Sequence, residues 1–231
     1  MKWLALLLLL PAIAGARPSK LNMPPGWRWP PSPAMKVEGK ECLAHLDALG
    51  IAYDKAPATR KVTTPIYLRE MTLGGVALEP IWKKGPFVMD CLLAAALVDQ
   101  ADLFSSLGIT ALRFAEIHDY RNVNEGKRRI LSRHALGLAI DVFAFVTDDG
   151  VSHPVETDYP CALLLTLEEW LRAGAGFRLL TPGNDPRHHH DHFHLEVREP
   201  SERGRSRIAM LGVRAGAGHR PQPRLSHWAP P

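Results

Sequence analysis

The chain has 231 residues, 28 Lys and Arg against 24 Asp and Glu, a formal charge of +4 and three cysteines. Cys42, Cys91 and Cys161 are too few and too scattered for a thiolate zinc site, which needs paired Cys at short spacing. Pro200 to Pro231 holds six Arg against one Glu, so the basicity sits in the tail and the pI says little about the partner of the folded body.

Met1-Lys2 followed by an apolar run from Trp3 to Leu10 and then Ala14-Gly15-Ala16 reads as a secretory signal over residues 1–16. Pro11 ends that run well short of the roughly 20 apolar residues that span a bilayer, and no later segment is long enough. A mature chain of 215 residues with a charge of +3 is expected. The tail accounts for +5 of that, leaving Arg17 to Glu199 at about −2. The expected location is periplasmic or secreted, with no transmembrane segment in the mature chain. In such a compartment two of the cysteines can pair. All three pairings are open; Cys42 with Cys91 is favoured because Cys161 precedes a helix that can bury it.

Residues 17–40 carry six prolines around Trp27 and Trp29 and read as an extended Pro-rich linker, so the folded body is expected to begin near Glu41. Residues 41–50 look helical, and the segment to Leu78 has only scattered β-type residues. Apolar residues from Val88 to Ala101 fit one helix of several turns over Phe87 to Leu107. Leu112 to Ile117 alternates as a strand. Leu138 to Val146 is a β-branched and aromatic run closed by Asp148-Asp149-Gly150, a strand into a turn. Leu163 to Ala173 reads as a helix ended by Gly174, and Phe177 to Leu180 and Phe193 to Val197 as the last strands. Without regular βαβ alternation or a glycine-rich phosphate loop, the class is α+β. Residues 41–199 form the expected domain, with a basic Arg/Gly/Pro-rich tail over 200–231.

Chemistry concentrates in Ser132-Arg133-His134-Ala135-Leu136-Gly137-Leu138-Ala139-Ile140-Asp141 and in His192-Phe193-His194. In a strand His192, His194 and Glu196 share one face while Phe193, Leu195 and Val197 share the other. Both imidazoles can then enter a cleft while the apolar face packs on the core. His134 and Asp141 are seven apart, an odd offset that a straight strand would aim at opposite faces. Gly137 lets the chain bend, so His134 can sit in a loop and Asp141 on the following strand. Alternation puts Asp141 with Phe143 and Phe145, away from Ile140, Val142 and Ala144. An acid within so apolar a run is costly unless it is paired, hydrogen-bonded or bound to a cation. His134, Asp141 and His194 are therefore the expected metal ligands, leaving an open fourth position as in catalytic zinc sites.

Strand parity favours His192 as general base, with Asp191 orienting an imidazole; the reverse holds if Asp191 is still in a loop. His188, His189 and His190 read as a solvated tip; for His189 a position facing the site stays open, but ligation is not expected.

These motifs resemble the zinc D-Ala-D-Ala carboxypeptidase and murein endopeptidase group, whose shared pattern is SxHxxGxAxD followed by HxH or acid-x-x-H. Within that group the chain is most similar to the bacterial extensin-like C-terminal domain proteins. The features that carry this are Cys91-Leu92-Leu93-Ala94-Ala95, Tyr120-Arg121-Asn122-Val123-Asn124 and the late HFHLEV. The resemblance departs where a cysteine is usual just before the arginine, since Tyr120 and Arg121 are adjacent, and near Gly176-Phe177. The disulfide scheme of relatives is therefore not carried over.

The resemblance implies a small antiparallel sheet carrying a Zn2+ site flanked by helices, as in the hedgehog/DD-peptidase fold. It also implies an exported metallopeptidase that hydrolyses peptidoglycan peptides. Arg121 matches the arginine that relatives hold over the substrate, and Ser132 is grouped with it as substrate-binding. The alternative is a non-catalytic zinc-containing cell-wall binding module of the same fold, since fold alone does not set function. The basic tail is expected to attract anionic envelope polymers, with nucleic acid not expected as a partner.

Overall fold

The computed structural model describes residues 22–24, 26–123, 130–174 and 176–198. The expected signal peptide and the basic tail lie outside these residues, as does Asn124. Among the described residues no helix is long and apolar enough to cross a membrane.

The first helix, α1 (Pro33–Ala48), starts earlier than expected. Ser32 is its N-cap, its hydroxyl accepting from Met35 N at 3.2 Å, and Pro33 occupies the first turn. Proline there gives up an N–H that has no helical partner and supplies a helical φ, so the last proline of the run initiates a helix. The extended segment thus ends at Ser32 instead of residue 40. Gly39, Cys42 and Leu46 form the buried stripe of α1. Cys42 is bonded to Cys91, the favoured pairing, while Cys161 is free. Closing a loop 49 residues long constrains the unfolded chain by about 4 kcal/mol in the chain-entropy account.

Short strands fill the region whose pattern was weak: β1 (Tyr53–Lys55), β2 (Pro65–Leu68), β3 (Thr72–Leu73), β4 (Val76–Pro80) and β5 (Met89–Asp90). The long helix expected over 87–107 is instead β5, α2 (Cys91–Val98) and α3 (Ala101–Ser106). Asp90 accounts for the start. Its backbone is extended and its buried carboxylate accepts from Leu92 N, Thr63 N, Thr63 Oγ1 and Thr64 N. An N-cap so committed cannot lie inside a helix. Then follow β6 (Ile109–Glu116), β7 (Ala139–Thr147), β8 (Ser152–Pro154), α4 (Val155–Asp158), α5 (Ala162–Ala173), β9 (Phe177–Leu180) and β10 (Phe193–Val197).

The fold is α+β. Its main sheet has seven strands in the order β3-β4-β6-β7-β10-β9, with β8 beside β7; a second sheet orders β1-β2-β5. The main sheet is larger than the small antiparallel one expected and is mixed, because β4 and β6 run parallel. The intervening α2 and α3 supply the crossover that a parallel pair requires.

One face of the main sheet presents Ile140, Val142, Phe193, Leu195 and Val197 to a core that also holds Leu93 and Leu97 of α2 and Leu164, Leu167 and Leu171 of α5. Phe145 joins this core, packing on Phe193 at 5.4 Å between ring centroids, and does not follow Asp141 and Phe143. The cause is an irregularity in the β6–β7 ladder, where Arg113 faces Ala144 but the next residue, Phe114, faces Val142. The extra residue reverses the alternation along β7.

Candidate metal centre

β7 and β10 run antiparallel with His194 directly opposite Asp141. Directly paired residues project to the same face, so the ladder itself brings the two side chains together. Asp141 Oδ1 lies 2.6 Å from His194 Nδ1. His134 comes from a short 3₁₀ turn, His134–Leu136, that ends at Gly137 in the left-handed region with φ of +66°. A Cβ at Gly137 would sit 2.8 Å from Asp90 N, whose N–H donates to Gly137 O. Both backbone conformation and close approach therefore require glycine between His134 and Asp141. His134 Nε2 stands 3.1 Å from Asp141 Oδ2 and 3.2 Å from His194 Nδ1.

These three side chains are buried and form a group that can hold a metal ion. The separations of 2.6, 3.1 and 3.2 Å compare with roughly 3.3 Å between ligand atoms about 2.0–2.1 Å from a tetrahedral zinc. Two imidazoles and a carboxylate are a zinc donor set, so the residues present fit the ion. The outer nitrogens are also fixed. His134 Nδ1–H donates to Ile117 O at 3.1 Å, which leaves the Nε2 lone pair facing Asp141 and His194. His194 Nε2 lies 3.2 Å from Glu196 Oε1, and Glu196 is in turn bound by Arg178 at 2.9 Å. Such outer contacts set ring orientation and ligand basicity.

The charges are strongly coupled. Burial alone would lower the affinity of His194 for its proton, but Asp141 and Glu196 overcome it and raise the pKa to about 9. Burial would raise Asp141, yet His134 and His194 hold it well below the usual carboxylate range. Glu196 is likewise pulled down to about 2 against its burial, first by His194 and then by the nearby arginines.

His192 sits just before β10. Its Nδ1 donates to Asp191 Oδ1 at 2.8 Å, and its Nε2 lies 3.6 Å from Asp141 Oδ1. Its ring stacks on Phe143 at 4.9 Å, and Phe143 in turn meets the exposed Trp82. The imidazole is thus clamped between a carboxylate and an aromatic face with one nitrogen turned towards the triad.

Ser132 and Arg121 both have partners within the protein. Ser132 is buried and its hydroxyl oxygen accepts from His134 N at 3.3 Å, so it braces the turn that carries His134. Arg121 is held by Glu116 at 2.9 Å and Asp119 at 3.2 Å. Glu116 stands across the ladder from Asp141, so this ion pair borders the same row of the sheet.

His189 departs from the solvated tip in which it was placed. Its Nδ1 is 3.0 Å from Asp185 Oδ2, and its ring lies 5.0 Å from that of His192 and 5.3 Å from that of His194. Burial, then His194 and His192, push its pKa down to about 4. His188 and His190 are exposed. The missed signal was Asp185, four residues before His189, in a tight turn where Asp185 O accepts from both His188 N and His189 N. Glu196 was read on the correct face but given no role.

A chain with this α+β fold and a buried His-Asp-His cluster matches the family model described as extensin-like protein C-terminus over residues 40–207. It belongs to that family. No curated protein and no solved structure matches the chain.

Proposed function

We propose that the protein is an exported zinc peptidase that hydrolyses peptide bonds of peptidoglycan, as carboxypeptidase or endopeptidase. The observation that carries this reading is the convergence of His134 Nε2, the Asp141 carboxylate and His194 Nδ1, with the His192–Asp191 pair alongside. The hedgehog/DD-peptidase-like fold is part of the same proposal, supported by the motif spacing and by ligands on adjacent antiparallel strands.

His134, Asp141 and His194 would hold the zinc, which when bound supplies a Lewis acid for a scissile carbonyl and for water. His192 takes and returns the proton. Asp191 accepts from its Nδ1, which fixes the tautomer with the Nε2 lone pair free and stabilises the imidazolium once formed. Phe143 keeps the ring from rotating. Glu196 and the Ile117 carbonyl hold the two ligand imidazoles in place. The signal-like residues 1–16 support export, and the basic tail supports attraction to anionic envelope polymers.

The second reading is a zinc-containing wall-binding module without cleavage. Arg121 favours it, because the Nε–Nη2 edge of its guanidinium is taken by Glu116 and Asp119 and must be freed before that edge can grip a substrate carboxylate. The deciding experiment is incubation of the purified protein with muropeptides, with and without chelator, and identification of fragments by mass. Chelator-sensitive release of shorter peptides supports the peptidase. Intact muropeptides with protein that still binds the wall support the module.

A further inference from the structure

We infer that His189 and His192 form a second, weaker site for a zinc-type divalent cation, beside the His134–Asp141–His194 triad. Ligand atoms of His189, His192 and His194 all lie within 4.8 Å of one another, as do those of the first triad, and the two groups share only His194. His194 Nδ1 belongs to the first cation, so the second is held by the other two imidazoles, with solvent completing its shell.

Both imidazoles are prepared in the same way. His189 Nδ1 is held by Asp185 and His192 Nδ1 by Asp191, so each has Nε2 left for a cation and a carboxylate behind it. Two backbone N–H groups received by Asp185 O fix the turn that aims His189 inward. Two neutral nitrogens bind more weakly than two imidazoles with a carboxylate, so the first triad fills first. The consequence rests on the peptidase reading: a cation on His192 Nε2 removes the lone pair that takes the proton, so excess zinc holds the centre in an inactive form.

The test is equilibrium dialysis of metal-free, untagged protein against rising zinc, with bound metal counted by mass spectrometry. Wild type is expected to take up two equivalents in sequence, His189→Ala only the first, and Asp185→Asn the second at least several-fold more weakly. A His188→Ala/His190→Ala double variant should still bind two. A single equivalent in wild type overturns the inference. So does a second equivalent that survives His189→Ala or disappears in the double variant. Failure of the peptidase reading would appear separately, as intact muropeptides at one equivalent of zinc.

Discussion

Asp141 and His194, 53 residues apart in sequence, are a directly opposed pair on β7 and β10, with Asp141 Oδ1 2.6 Å from His194 Nδ1. A sheet ladder fixes such a pair through its whole length, because a slip of one residue would turn every side chain of β10 to the other face. Phe193, Leu195 and Val197 are fully committed to the core, so the register that buries them also delivers His194 to Asp141. The apolar face thereby positions the polar one.

This pairing sets a pH window for zinc. Without metal, His194 holds its proton up to about pH 9, between two carboxylates. Its contribution to stability is full below the unfolded value near 6.5 and is lost as pH rises through 9. Zinc needs the unprotonated Nδ1, so its affinity should climb over that same interval, and binding at pH 7.5 should release about one proton. Calorimetry in buffers of different ionisation heat measures the number. No proton release between pH 7 and 8 would contradict the assignment of His194.

The His192–Asp191 pair predicts a separation of catalysis from binding. His192→Ala should lower kcat on muropeptides by roughly 10²–10⁴ while the first equivalent of zinc, held by His134, Asp141 and His194, stays bound as in wild type. Asp191→Asn should cost less, about 10–100-fold, because it disturbs only orientation. If Asp191→Asn proves the more damaging, the roles of base and orienting group are reversed.

Much of this centre could be read from spacing because Asp141 and His194 sit on regular strands. Parity alone predicted that His192, His194 and Glu196 share a face, and Gly137 offered the bend that the odd offset between His134 and Asp141 called for. The last helix and the last two strands were legible for the same reason, since each has an unbroken period and a clear stop. Legibility failed where a single residue overrides a period. Asp90, with four donors on its carboxylate, cuts the apparent 87–107 helix, and one extra residue in β7 turns Phe145 to the core. Pro33 begins a helix because the N-cap Ser32 precedes it, a pair hidden among prolines that looked uniformly extended. His189 was lost in a run of three histidines, where only its partner Asp185 separates it from its neighbours. Ser132 was grouped by motif, and a motif does not reveal that its hydroxyl oxygen also accepts from the backbone amide of His134.

Gly137 offers a structural test independent of zinc. Alanine there would carry a left-handed φ costing about 1–2 kcal/mol and a Cβ 2.8 Å from Asp90 N. Gly137→Ala should lose about 2 kcal/mol or more in urea unfolding and also weaken zinc retention, since the turn separates His134 from Asp141. Unchanged stability would mean that the turn relaxes freely and does not fix the ligands.

Zinc content of the purified Asp141→Asn variant tests the account most directly. The amide removes the anionic ligand and the partner that holds His194 Nδ1, while the sheet register, set by the apolar face, stays in place. Wild type should retain about one equivalent of zinc through dialysis, and folded Asp141→Asn should retain essentially none. Equal zinc in the two proteins would contradict the His134–Asp141–His194 centre on which the proposed chemistry depends.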